Sequence, residues 1–135
     1  MAVESQTAVL KLRAAGIEVT PPEELGVEAD GMGRDVRIAE FDTGSGLRFD
    51  VMIDRAMDIG LASYQGIPLA WQTNNGVRHP AYYDRDGEQW LRNFFGGLMC
   101  TCGLTYVGAP CVDDGQVLGL HGRVSNLPAD NVWVD

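Results

Sequence analysis

The sequence predicts an all-β protein built on antiparallel strands, and three observations carry that expectation. Glycine-bearing turn signals, "DTGSG", "YQG", "NNG", "RDG" and "DDG", recur at short intervals and each closes an apolar stretch, as tight turns need residues that tolerate positive φ. Between them "LRFDVMID" alternates apolar and polar residues, the pattern of a half-buried strand. The links between successive strand-like segments are too short for crossover helices, so neighbouring strands run antiparallel.

The elements follow in chain order. "SQTAVLKLRAAG" fits helix or strand equally and "TPPEELG" is a loop, which leaves residues 1–35 as an N-terminal segment without an assigned element and residues 36–135 as the β domain. "VRIAEF" and "LRFDVMID", joined by "DTGSG", predict a hairpin over residues 36–54. In its second strand Leu47, Phe49, Val51 and Ile53 share the face expected to be buried, and Arg48, Asp50, Met52 and Asp54 share the other. "DIGLASYQ" and "IPLAWQT" continue the meander through the turn "QGIP". The i,i+4 pairs Trp90/Phe94 and Leu91/Phe95 predict one short helical segment. "GGLMCTCGLTYVG" reads as a buried strand followed by another, "QVLGLHGRVS" as a further strand and "DNVWVD" as the start of one more. That final stretch lacks the turn residues or polar tail that close a domain, so the chain is expected to be cut there. The unpaired strand edge would then be open to self-association.

Composition sets the outer bounds. A chain of 135 residues, 45% apolar, makes one domain with one core. Nineteen acidic against ten basic residues leave a net charge of −9, which repels a nucleic-acid backbone and an anionic membrane surface. The start "MAVESQTAVLKLRAAG" has acid at Glu4 and no long apolar run, so neither a secretion signal nor a membrane span is expected, and the protein reads as cytoplasmic. Cys100, Cys102 and Cys111 are an odd set without a disulfide-framework spacing, which suits free thiols in a reducing compartment.

Few residues carry chemistry. His121, in "GLHGR", is flanked by glycines that leave room for a ligand at the imidazole; the same histidine also fits a strand end, hydrogen-bonded to a neighbouring carbonyl. Arg123 lies two residues on, so a continuous strand would place both on one face, where they could meet one polar ligand; a surface salt bridge is the alternative. Trp90 and Arg92, in "WLRNFFGGL", combine a ring able to stack on the apolar face of a sugar with an N–H fork able to hold hydroxyls. Core packing of the aromatics beside a solvated arginine is equally open. "CTC" lacks the two-residue spacer of common zinc knuckles, so buried, inert thiols are expected there and no metal or other cofactor. Asp54, Arg55 and Asp58 in "IDRAMDIG" read as a charged turn with a local ion pair. No phosphate loop, Ser-His-Asp order or His-Glu metalloprotease pattern occurs.

Taken together, "GLRFDVMIDRAMDIG", "GIPLAWQT", "WLRNFFGGLMCTCGLTYVGAP" and "LHGRVSNLPA" resemble the aldose 1-epimerase-like proteins of the galactose-mutarotase-like superfamily, over roughly residues 30 to 132. The resemblance implies an antiparallel β-supersandwich that binds a monosaccharide in a groove across one sheet, with this chain as its N-terminal portion. It implies that His121 contacts sugar oxygens and takes part in catalysis, with Arg92 as the nearest match to a second sugar contact. It also implies that the glutamate base and a second histidine, the acid, come from a later part. The function expected is an aldose mutarotase or epimerase-like isomerase whose 135 residues alone are inactive. The alternatives are a non-catalytic carbohydrate-binding or sensing protein on the same scaffold, and a small metal or redox protein built on Cys100, Cys102 and His121.

Overall fold

In the computed structural model, residues 18–19 and 26–132 are described. The expectations for "SQTAVLKLRAAG", for most of "TPPEELG" and for the end of "DNVWVD" fall outside those residues. Strands β1 (Glu18–Val19), β2 (Gly26–Val27), β3 (Arg37–Asp42), β4 (Leu47–Met52), β5 (Asp58–Tyr64) and β6 (Ile67–Pro68) form one antiparallel sheet, in which β3, β4, β5 and β6 follow one another as the meander requires and both β1 and β2 pair with β3. The β5–β6 link turns on Gln65 and Gly66 at φ 49° and 80°, positive at both positions as a two-residue hairpin turn needs. β7 (Trp71–Gln72) leaves this sheet and pairs with β8 (Gly96–Gly97), while β9 (Cys111–Asp113) and β10 (Gln116–Leu118) make a separate hairpin. One helical turn, α1 (Trp90–Asn93), stands where the aromatic spacing predicts it.

Burial along β4 departs from the expected alternation at its end. Ile53, just past the strand, is 1% exposed as expected and Arg48 is exposed, but Leu47, Phe49 and Val51 are only half-buried, whereas Met52, on the face expected to be polar, is 2% exposed and packs with Val36 and Phe95, flanked by Ile38 and Val77. The cause is the return of the chain after α1. Backbone N–H groups of Leu98 and Met99 donate to the Ile59 carbonyl of β5, and this lays Phe95 over the Met52 side. A glycine is needed at the crossing: a Cβ on Gly97, at φ +87°, would lie 2.6 Å from the Ile59 carbonyl oxygen. The opposite face instead carries a cross-strand stack of Phe41 on Phe49, centroids 4.7 Å apart.

Two further expectations are corrected. "GGLMCTCGLTYVG" does not form buried strands: beyond β8 only isolated bridges at Met99 and between Gly103 and Tyr106 remain, and Leu98, Met99, Leu104 and Val107 are exposed. Left-handed φ at Gly96, Gly97, Gly103 and Leu104 interrupts the extended backbone. Nor does "IDRAMDIG" hold a local ion pair. Asp54, buried at the end of β4, accepts hydrogen bonds from the backbone N–H of Arg37 at 2.8 Å and from its Nε at 3.0 Å, tying the first strand of the hairpin to the end of the second.

Burial of Asp54 acts to raise its pKa, but the Arg37 hydrogen bonds outweigh it and hold the carboxyl below the ordinary range. The resulting stabilisation is present above the ordinary carboxylate pKa of about 4 and is lost as pH falls through the depressed value. Asp54→Asn should therefore lose about 1–3 kcal/mol in urea unfolding at pH 7. The gap to the wild type should narrow in acid; a gap independent of pH would refute this account.

Candidate functional site

The candidate site forms where α1 meets the turn that follows β10. Within α1, Trp90 and Asn93 are three positions apart and so share a face; both are buried, and both reach the short 3-10 turn Val124–Asn126. The Trp90 indole N–H donates to Ser125 Oγ at 2.9 Å, and Asn93 Nδ2 donates to Asn126 Oδ1 at 3.0 Å. His121 stands against this junction, its ring edge-on to Trp90 with centroids 5.0 Å apart. Trp90 in turn stacks on Phe94 at 5.1 Å, and Phe94 meets Trp71 of β7 edge-on at 6.0 Å. An aromatic series thus runs from buried Trp90 to Trp71, which is 62% exposed.

The backbone around His121 is fixed on two sides. Leu120 N–H donates to the Gly87 carbonyl, His121 N–H to the Gly108 carbonyl, and Gly103 N–H to the His121 carbonyl. These contacts replace the strand expected over "QVLGLHGRVS", which ends at Leu118, and His121 takes the left-handed φ of 57°. His121 and Arg123 therefore do not share the strand face expected of them. Tyr83 Oη donates to the Gly122 carbonyl at 3.1 Å, closing the turn from the 83–87 loop. His121 is half-buried, and its Nδ1 accepts from the backbone N–H of Gly108 at 3.3 Å. A neutral ring so held carries its own proton on Nε2 and presents a donor there.

Gly119 admits this close approach, since a Cβ there would fall 1.9 Å from the Arg85 carbonyl oxygen. Gly119→Ala should force the 119–122 turn away from the 83–87 loop at a cost of about 1–3 kcal/mol. Thermal unfolding checks the cost, and unchanged His121 ring resonances in the folded variant would contradict the displacement.

Behind the junction lies Arg55, 1% exposed. Its Nε donates to the Ser125 carbonyl at 2.8 Å, Nη1 to the Arg78 carbonyl at 3.0 Å and Nη2 to the Asn93 carbonyl at 2.8 Å, with the guanidinium carbon 5.1 Å from the Phe95 ring centre. Burial lowers the Arg55 pKa, and the nearby Asp58 acts to raise it. Asp58 is itself 1% exposed and accepts from the Thr101 backbone N–H; burial pushes its carboxyl above the ordinary range.

Residues 33–135 match the protein family described as "Domain of unknown function (DUF4432)". The chain belongs to the DUF4432 family. Comparison with curated proteins gave no match. Among solved structures, this DUF4432 chain is similar to a "putative aldose 1-epimerase" from Klebsiella pneumoniae subsp. pneumoniae MGH 78578, at 27% identity and a TM-score of 0.72. The match covers 88% of this chain and 31% of the Klebsiella chain, so the sequence spans about a third of that protein's length. The antiparallel all-β class with one short helix, and the epimerase-like superfamily expected from the motifs, both stand on this likeness.

In the DUF4432 chain the four site residues expected from sequence separate into two kinds. Trp90 and His121 are in contact, but Trp90 is only 7% exposed and backs the imidazole without offering a face to solvent, with Phe94 stacked on its ring and Ser125 on its N–H edge. Arg92 and Arg123 are exposed and make no side-chain hydrogen bond or ion pair among the described residues. Arg92 lies two residues past Trp90 in a helical turn, about 200° around it, and no contact joins it to His121. Sequence reasoning missed Trp71 and Arg55. The signal for Arg55 was an arginine set among apolar residues in "MIDRAM"; nothing distinguished Trp71 from a core tryptophan.

Of the two thiols of "CTC" expected to be buried, Cys102 is not. Cys102 and Cys111 are exposed; Cys100 is half-buried, and burial beside Asp58 pushes its pKa up to about 12, which leaves it protonated and unreactive. Among the described residues no group of three or more His, Cys, Asp or Glu is arranged to hold a metal ion, and no helix is long and apolar enough to cross a membrane.

Proposed function

We propose that the chain forms the sugar-contacting part of an aldose 1-epimerase-like isomerase acting on a monosaccharide, with the general base and acid supplied by polypeptide beyond these residues. The likeness to the Klebsiella protein across 88% of this chain carries the reading. The apolar surface supports it: Ile67, Leu104, Val112 and Val117 are each 65% exposed or more, an arrangement suited to further polypeptide packing over them.

Anomer exchange needs a base to take the proton of the C1 hydroxyl while an acid protonates the ring oxygen. The C1–O5 bond then breaks with its electron pair passing to O5, the open-chain aldehyde turns about C1–C2, and reclosure reverses each step. His121 contributes as a donor: with Nδ1 engaged by Gly108, Nε2–H points a hydrogen bond at a sugar oxygen whose negative charge grows as the ring opens. Trp71 provides an exposed ring for the C–H face of the pyranose, and Arg92 and Arg123 provide N–H forks for hydroxyls. The protein works in the cytoplasm and without a cofactor on this reading.

The test is NMR exchange spectroscopy of a panel of aldoses with the full-length protein. Acceleration of anomer exchange above the buffer rate supports an isomerase. Sugar binding without acceleration makes the protein a carbohydrate-binding module on the same scaffold, and neither binding nor exchange ends the sugar reading.

A further inference from the structure

We infer that Arg55 is a positioning residue for His121, acting by locking together the two segments that fix Trp90, the ring against which the imidazole rests. Its three donors reach carbonyls in three separate segments, at Arg78, Asn93 and Ser125. Two of these matter for the site. Asn93 closes the helical turn that carries Trp90, and Ser125 is the residue whose hydroxyl receives the Trp90 indole N–H. Asn93 and Asn126 add a parallel side-chain bond across the same junction. The Trp90 ring is therefore held from its backbone and from its nitrogen by groups that Arg55 fixes, and His121 rests edge-on against that ring.

Only a guanidinium does this. Its planar fork spans separated acceptors at fixed angles, whereas a lysine ammonium is a compact point charge that cannot span all of them at once. The stack of the guanidinium on Phe95 adds a second constraint on its plane. The geometric part of this inference stands apart from the sugar reading; the part that concerns affinity rests on it.

The experiment uses the full-length protein, with Arg55→Lys and Ser125→Ala compared with the wild type at a temperature where each is folded by circular dichroism. The Trp90 indole N–H and the His121 ring C–H signals are followed by NMR, assigned through Trp90→Phe and His121→Asn, and D-glucose and D-galactose affinities are measured by titration. Both ring signals should move in Arg55→Lys. The dissociation constant for whichever sugar binds the wild type should rise about tenfold, the equivalent of one misplaced neutral hydrogen bond from His121. Ser125→Ala, which leaves Arg55 in place but removes the indole acceptor, should move the same His121 signal, and it decides the matter if Arg55→Lys does not fold. A lowered melting temperature with both ring signals unmoved would make Arg55 merely structural and overturn the inference. A wild type that binds neither sugar counts against the sugar reading alone, since the ring signals still report on Arg55.

Discussion

On the proposed isomerase reading, replacing His121 by alanine in the full-length protein is expected to slow anomer exchange by about a hundredfold to a thousandfold, the range for loss of one hydrogen-bond donor aimed at developing negative charge. The expectation follows from the tautomer. Gly108 N–H occupies Nδ1, so Nε2–H is the only donor the neutral ring has to give, and alanine removes it without a substitute. The backbone itself should tolerate the change, because residue 121 sits at φ 57° with a histidine already present and alanine pays a similar left-handed cost. His121→Asn sharpens the result. Asparagine suits the left-handed conformation better than either residue and restores an N–H, at shorter reach. It should therefore fold at least as well as the alanine variant and recover part of the rate. Polarimetry or NMR exchange gives kcat and KM separately: a donor that acts on charge growing during ring opening lowers kcat, whereas an unchanged rate in both variants would remove His121 from the site.

How much of this was legible in the sequence depends on whether a feature is set by neighbours in the chain or by distant ones. The β3–β4 hairpin, the Gln65–Gly66 turn and the Asp114–Gly115 turn of the β9–β10 hairpin were readable because each is fixed by residues tolerant of positive φ within a few positions of one another. The helical turn was readable from Trp90 and Phe94 for the same reason. The burial of Met52 was not, since alternation only separates two faces and the arrival of Phe95 is what covers the Met52 end of β4. A local ion pair was the wrong reading of Asp54 and Arg55, because the Asp54 charge is buried only where donors arrive from Arg37, and the Arg55 charge only where acceptors arrive from residues 78, 93 and 125. His121 drew notice as a residue type between glycines, but its turn is made by the 83–87 and 103–108 loops; that closure has no signature in "GLHGR" itself.

The stability of the junction should fail most heavily at Arg55. Arg55→Met keeps an apolar stem over Phe95 but strips the donor from three carbonyls and leaves Asp58 without its nearest opposite charge. Breaking a buried charged network by removing one partner costs about 3–5 kcal/mol, a large share of the roughly 5–15 kcal/mol that holds a domain folded. The loss should depend on pH, and its sign follows from Asp58. Burial raises the Asp58 pKa, while the Thr101 hydrogen bond and the Arg55 charge act to lower it without cancelling the rise. A carboxyl raised in the folded state contributes stability that is present below its ordinary value of about 4 and is lost as pH climbs through the raised one. Removing Arg55 takes away a charge that eased the ionised form, so the raised value climbs further and the variant suffers more at pH 7 than at pH 4. Asp58→Asn in the Arg55→Met background should then recover stability at pH 7, because the amide oxygen still accepts from Thr101 N–H and no buried charge is left unpaired. Urea unfolding of the wild type, both single variants and the double variant at the two pH values measures each arm of this cycle. Equal losses for Arg55→Met at pH 4 and pH 7, with no recovery in the double variant, would mean that Asp58 and Arg55 are not coupled.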